Sequence, residues 1–228
     1  MRILAALLSL LLAGPVSAAL DFAGTSDKII GTTSPITGAP FSFCGWVRND
    51  DNADSGAMAS VSVNASGNNW VYVGLMGTVS DVFRFSIRTN TETAADFSTF
   101  TAGTLYHICA IASASNAREL FVNGSSVGTN TTDRAITGMN EMRIGARVDN
   151  TPAETTFLDG LVAELGFWNR ALGAAEITGL SKGFAPNCYP TGLTNYTPLI
   201  RTVQDLKTAT AYTTSGTTVV AHVRILQC

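Results

Sequence analysis

Charge is scarce in this chain. Only 14% of its 228 residues are Asp, Glu, Lys or Arg, and the formal net charge is −3. A mildly acidic chain has no basic footprint for phosphates, which excludes nucleic-acid binding. Its surface must be built largely from Thr, Ser, Asn and Gly, which suits short strands joined by turns. Long apolar runs are also missing. Ile3 to Ala13 is too short to span a bilayer as a helix, and no later run is long enough to anchor the chain. The four cysteines, at 44, 109, 188 and 228, form no C-x-x-C pair, so their spacing gives no zinc signal. No strand–turn–helix nucleophile elbow and no glycine-rich phosphate loop is expected.

What is present begins with "MRILAALLSLLLAGPVSAAL". Arg2 gives a short positive region, Gly14 and Pro15 break the apolar run, and Val16-Ser17-Ala18 offers small residues for cleavage. This is the pattern of a secretory signal peptide over 1–18. The alternative is a retained apolar arm that packs in an assembly. Four cysteines allow three pairings. Cys44 and Cys109 fall inside apolar strand patterns and read as buried small hydrophobes. Cys188 and Cys228 bracket the C-terminal segment. Joined in an exported chain they close a loop of about 40 residues, worth roughly 4 kcal/mol in the loop-entropy model.

Alternation of period two dominates from about residue 26 to 168. "FSFCGWV" sets Phe41, Phe43, Gly45 and Val47 on one face against Cys44 and Trp46. "NWVYVGLM" sets Trp70, Tyr72, Gly74 and Met76 against Val71, Val73 and Leu75. "VFRFSIR" sets Phe83, Phe85 and Ile87 against Val82, Arg84 and Ser86. Asn123-Gly124 is the strongest turn signal, because a type I′ turn needs positive φ at both central residues. It predicts antiparallel strands over 118–122 and 125–129. Strands at this spacing form a β-sandwich or jelly roll. Apolar residues on the second face imply a covered sheet, a ligand groove or a subunit contact. One short helix follows Gly173, with Glu176 completing a capping box that lacks the usual Ser and Gly183 as its stop. The segment 183–228 is interrupted by prolines and ends in an alternating strand, "TVVAHVRIL".

Three stretches in order carry a family resemblance. "LDFAGTSDKI" with "FSFCGWVRNDD", "GTLYHICAIASASNARELFVNGSSVGT" and "MRIGARVDN...FLDGLVAELGFWNRALGAAEI" resemble the opening, central and closing segments of a laminin G-like domain. That family lies in the concanavalin A-like lectin/glucanase superfamily. The resemblance implies an all-β, concanavalin A-like jelly roll over 19–182, with one short helix and a C-terminal extension over 183–228. The extension resembles those of bacteriophage-associated members. Leu105 and Tyr106 replace the family's usual Trp and His, and Ala163 stands where an Asp usually precedes the Glu. Family members that bind calcium use carboxylates and carbonyls at the sandwich rim, and Asp149-Asn150 resembles such a position.

Glu164 is the acid in the greasy closing strand. Sugar hydrolysis by the usual routes needs two facing carboxyls. The same-face neighbours of Glu164 are Val162, Gly166 and Trp168, and Asp159 has the opposite parity. A structural role follows, with Glu164 bonding a loop or an arginine such as Arg143 or Arg170. No catalytic residue is assigned. Asp50, Asn52 and Asp54 fit three positions of a calcium loop, but Ser55 and Val61 stand where Gly and Glu belong, so a solvated hairpin loop is the reading. His107 reads as a hydrogen-bonded core residue. Trp70, beside a turn, and Tyr72 are the candidate sugar platforms. The four Asn-x-Ser/Thr sequons, at Asn64, Asn123, Asn130 and Asn195, matter only in a glycosylating host. The expectation is a non-catalytic binding or structural module outside the cell or on a virion surface. Its partners would be a glycan or protein surface, with virion or homo-oligomer subunits as alternatives, and calcium is its one candidate cofactor. The rivals are a phage capsid-decoration or fibre-associated subunit and a secreted glycosidase.

Overall fold

The computed structural model describes residues 17–51, 55–63, 68–76, 82–148, 154–199, 204–209, 211–222 and 226. Among them an eight-stranded sheet is built from β1 (Ser17–Ala23), β3 (Phe41–Asn49), β8 (Tyr106–Ala114), β9 (Ala117–Val122), β10 (Ser125–Asn130), β14 (Asp159–Trp168), β15 (Leu193–Thr197) and β17 (Thr218–His222). A seven-stranded sheet is built from β2 (Lys28–Gly31), β4 (Gly56–Ser62), β5 (Asn69–Met76), β6 (Val82–Thr89), β7 (Thr91–Phe97), β11 (Glu141–Ile144) and β16 (Thr213–Ser215). Two short strands, β12 (Arg147–Val148) and β13 (Glu154–Thr155), pair with each other. The helix α1 spans Ala174–Ser181.

The period-two alternation decides the layers. Phe41, Phe43, Val71, Val73, Phe83, Phe85, Ile108 and Leu120 turn inward and fill the space between the sheets. Phe85 meets Phe41 and Phe43 edge-on, with ring centroids at 6.1 and 6.4 Å. Burying each such ring contributes about 1.5–3 kcal/mol, the main force holding the layers together. Asn123 and Gly124 have φ of 51° and 84°, as a type I′ hairpin between β9 and β10 requires. The sheets run in the order β10-β9-β8-β3-β14-β1-β17 and β16-β2-β11-β4-β5-β6-β7. This is the jelly-roll sandwich expected.

The outer face of the eight-stranded sheet is covered. Cys44, Cys109, Ile111, Trp168, Ile177, Leu180 and Tyr196 form a second core beneath α1. The helix starts as its sequence predicts. Glu176 Oε2 accepts the Gly173 N–H at 2.9 Å, and Arg170 clamps the same carboxylate at 2.6 and 2.8 Å. Cys44 and Cys109 are not merely small hydrophobes, and here the sequence reading is corrected. They stand directly opposite each other on β3 and β8, Cα atoms 4.2 Å apart, and are joined in a disulfide.

The C-terminal segment is part of the sandwich. β15 pairs with β14, β16 extends the seven-stranded sheet beyond β2, and β17 extends the other beyond β1. One excursion of chain therefore supplies the outermost strand at one end of each sheet, and both are short, which limits the edges they present. Ser17 and Ala18, inside the expected leader, pair with His222 and Ala221; residues 1–16 lie outside the described residues.

Candidate functional site

Glu164 sits at a seam. One edge of β14 pairs with β1 through residue 162 and with β15 from Leu165 onward, while the other edge pairs with β3 through a bulge between Ala163 and Gly166. The bulge turns Glu164 into the left-handed region at φ 54°, uncommon for a residue with a Cβ. Its side chain is buried. Tyr196 donates its hydroxyl to Oε2 at 2.5 Å, and the Glu164 N–H donates to the Pro198 carbonyl at 3.2 Å. Oε1 is buried without a partner among the described residues. Burial pushes the carboxyl up to about 7, against the Tyr196 bond that favours its ionised form. A structural role was expected, but the partner differs. Arg143 pairs with Glu141 at 2.6 Å and Arg170 with Glu176, so neither is the group that bonds Glu164.

The outer face of the seven-stranded sheet carries polar rows across the strands. Glu92, Arg88, Trp70, Ser62 and Glu141 stand side by side in one row, and Ser86, Tyr72, Ser60 and Arg143 in the next. Trp70 and Tyr72, the candidate sugar platforms, therefore lie on this outer face, but not as open platforms. Trp70 is 1% exposed and Tyr72 fully buried, a correction to the sequence reading. Arg147 of β12 lies over both rings, its guanidinium carbon 4.7 Å from the Trp70 ring centre and 5.0 Å from that of Tyr72. The Tyr72 hydroxyl is spent on the Leu75 carbonyl at 2.5 Å. Trp70 Nε1 and the Nε atoms of Arg84 and Arg88 are buried without a partner among the described residues. At the β6–β7 edge Arg84 bridges Glu92 and Asp96 at 3.4 and 3.1 Å and stays partly accessible.

A groove of about 530 Å³ opens on the opposite sheet, between α1 and β9. Its floor is apolar: Ile111, Phe121, Leu172 and Ile177 belong to the second core. Ser113, Glu119, Thr129 and Thr131 stand along it. Phe121 is half-buried, and a Glu119 carboxylate oxygen accepts the Ser126 hydroxyl. The run Gly124–Gly128 spells Gly-x-Ser-x-Gly. Its Ser126 lies on a hairpin strand and bonds Glu119, not a histidine, so it lacks an elbow's strand-to-helix context.

At the sandwich rim, Ala23, Gly24, Asn49, Asp51 and Asp159 line a small cavity of about 160 Å³. Burial raises the Asp159 and Asp21 carboxyls, and the neighbouring Asp50 adds to both shifts. Arg48 answers with a two-pronged pair to Asp50 at 2.6 and 2.7 Å. The calcium candidates Asp149 and Asn150, like Asn52 and Asp54, lie outside the described residues. Among the described residues no cluster of three or more His, Cys, Asp or Glu side chains fits a metal. Cys188 is disulfide-bonded; Cys228, its expected mate, lies outside the described residues. His107 is buried and neutral, its pKa lowered to about 3 by desolvation. Its ring meets Trp46 edge-on at 5.1 Å, and its backbone N–H is accepted by Asn123 Oδ1. The ring's Nδ1 has no partner among the described residues, so packing rather than hydrogen bonding at that atom holds it.

The family model described as the concanavalin A-like lectin/glucanases superfamily matches residues 23–178. A search of curated protein sequences gives no match. Among solved structures, the native heptameric SAP-like pentraxin from Limulus polyphemus is similar at TM-score 0.66 and 13% identity, over 90% of this chain and 95% of that one. A putative carbohydrate binding protein from Bacteroides ovatus is similar at 0.65 and 14%, over 90% of this chain and 60% of that one. The CBM40 of the Ruminococcus gnavus IT-sialidase, bound to alpha2,3 sialyllactose, is similar at 0.59 and 12%, over 74% of this chain and all of that one. At such identities the likeness is one of fold.

Proposed function

Since the chain belongs to the laminin G-like family of the concanavalin A-like lectin/glucanase superfamily, we propose that it is a non-catalytic glycan-binding module acting outside the cell. The groove between α1 and β9 carries this reading. A sugar ring needs an apolar floor for its C–H face and polar groups at its edge for its hydroxyls. Phe121 and Ile111 supply the first; Glu119, Ser113 and Thr129 supply the second. The sugar binding named for the Bacteroides and Ruminococcus proteins agrees with it. Glu164 is 3% exposed and committed to Tyr196, which supports a role in the frame and not in bond cleavage. The Cys44–Cys109 disulfide supports an oxidising compartment. Among the described residues no helix is long and apolar enough to cross a membrane.

A second reading puts the glycan on the outer face of the seven-stranded sheet, favoured by Arg84, which stays partly accessible at the β6–β7 edge. A glycan array, run with and without calcium, tests both. Saturable binding lost in Phe121→Ala and retained in Arg84→Ala supports the groove; the reverse supports the sheet face. A blank array for the folded chain overturns glycan binding, and a large assembly by light scattering would then favour a structural subunit.

A further inference from the structure

The seam at Glu164 does more than hold two strands. We propose that Glu164 and Tyr196 form a proton-operated latch that fastens the C-terminal segment to the sandwich, closed while the Glu164 carboxyl is protonated and loosened when it ionises. Three bonds converge there. Tyr196 donates its hydroxyl to Glu164 Oε2, the Glu164 N–H donates to Pro198, and the Tyr196 N–H donates to Asp205 Oδ1 at 2.8 Å. The Tyr196 carbonyl in turn accepts the Leu206 N–H at 2.7 Å. The carboxyl thus anchors Tyr196 of β15, and the Tyr196 backbone in turn holds the turn that follows.

The geometry makes the anchor sensitive to charge. A buried carboxylate wants all its acceptor sites filled, and leaving one empty costs the full desolvation of that site. Glu164 Oε1 has no partner among the described residues. The neutral acid carries no such penalty, and burial accordingly lifts the group to about 7. Among the described residues the groups around it are neutral or already engaged. From β3, Trp46 pairs with Ala163 beside the bulge, and His107 of β8, whose ring meets Trp46, stays neutral through burial. From β1, Ala19 is apolar. From β15 comes Tyr196 itself. Asp205 is occupied by the N–H groups of Tyr196, Lys207 and Thr208 and by the Thr208 hydroxyl, and Lys207 on that turn is exposed. Burial and the Tyr196 bond are the causes of the Glu164 shift, with no charged neighbour contributing. Opening the latch hydrates the carboxylate, so rising pH favours the open form.

Hydrogen exchange followed by mass spectrometry at pH 6 and pH 8, corrected for the intrinsic rate, reads the latch directly in the full chain. Peptides over 193–208 should lose at least tenfold protection relative to peptides over β5. Glu164→Gln should abolish that difference. Tyr196→Phe removes the fastening bond itself, so peptides over 193–208 should already be less protected at pH 6 than in the unmodified chain. Equal protection of the unmodified chain at both pH values overturns the latch, as does the same pH dependence in Glu164→Gln. Should Glu164→Gln not fold, Tyr196→Phe decides: peptides over 193–208 as well protected at pH 6 as in the unmodified chain overturn it.

Discussion

The Tyr196 hydroxyl lies 2.5 Å from Glu164 Oε2, across 32 residues of sequence, and joins the C-terminal segment to the strand that closes the sandwich. The boundary expected after residue 182 therefore cuts through a core. A chain ending there leaves the edge of β14 from Leu165 to Trp168 unpaired and removes Leu193, Tyr196 and Leu199 from buried positions. Each such side chain contributes about 1.5–3 kcal/mol. Calorimetry of the truncated chain should show the cooperative transition lost or greatly lowered. An unchanged transition would make the segment a dispensable appendage.

Glu164 should also mark the alkaline side of the stability profile. Its folded value of about 7 lies above its ordinary 4.5. Between those pH values the folded chain holds a proton the unfolded chain has released, so stability falls as pH rises and levels off above 7. Glu164→Gln removes that slope. The variant should gain on the unmodified chain by about 3 kcal/mol at pH 8 and little at pH 4.5, measured by denaturant unfolding. Parallel profiles would show that the carboxyl is not protonated in the folded state.

His107 acts from the other side. Burial depresses it from 6.5 to about 3. Below 6.5 the unfolded chain takes up a proton that the folded chain refuses, so stability falls with acid by about 1.4 kcal/mol per pH unit. His107→Phe keeps a ring against Trp46 and cannot titrate. The difference between the two chains should shrink between pH 6.5 and 4 if His107 carries the acid limb, and stay constant if it does not.

The layers were legible because a period of two leaves little choice. Phe41 and Phe43 must face away from Cys44 and Trp46 on any strand, and a slip by one residue would expose them all. Asn123-Gly124 was legible because few pairs accept its backbone angles. Contacts between distant strands were not. The Cys44–Cys109 bond depends on β3 lying beside β8 in one register, which no local signal reveals. The burial of Trp70 is not legible locally either, since the residue over its ring, Arg147, arrives on a strand far along the chain. The partner of Glu164 was hidden by a bulge that breaks the alternation the reading relied on.

Arg147 gives a test of that cover. Its guanidinium lies over Trp70 and Tyr72, a contact worth about 2 kcal/mol when desolvated. Arg147→Ala should uncover the Trp70 ring. Tryptophan emission should shift to the red and become quenchable by acrylamide, with a modest loss of stability. If emission and quenching are unchanged, other parts of the chain cover the ring and Arg147 is incidental.

The disulfide at the centre of the eight-stranded sheet makes the largest single covalent demand. Cys44 and Cys109 are separated by 65 residues, and both sulfurs are packed against the core beneath α1. In the loop-entropy model a closed loop of that length stabilises the fold by about 4 kcal/mol, by restricting the unfolded chain. The double substitution to alanine also removes two buried sulfurs, so the loss should be at least that large. Reduction of the folded chain should be slow, because neither sulfur is reachable from solvent. Denaturant unfolding of the double alanine variant, with mass analysis of the unreduced chain, checks both points. A mass that shows free thiols at both positions, or a variant as stable as the parent, would mean that the two strands stand side by side without being bonded.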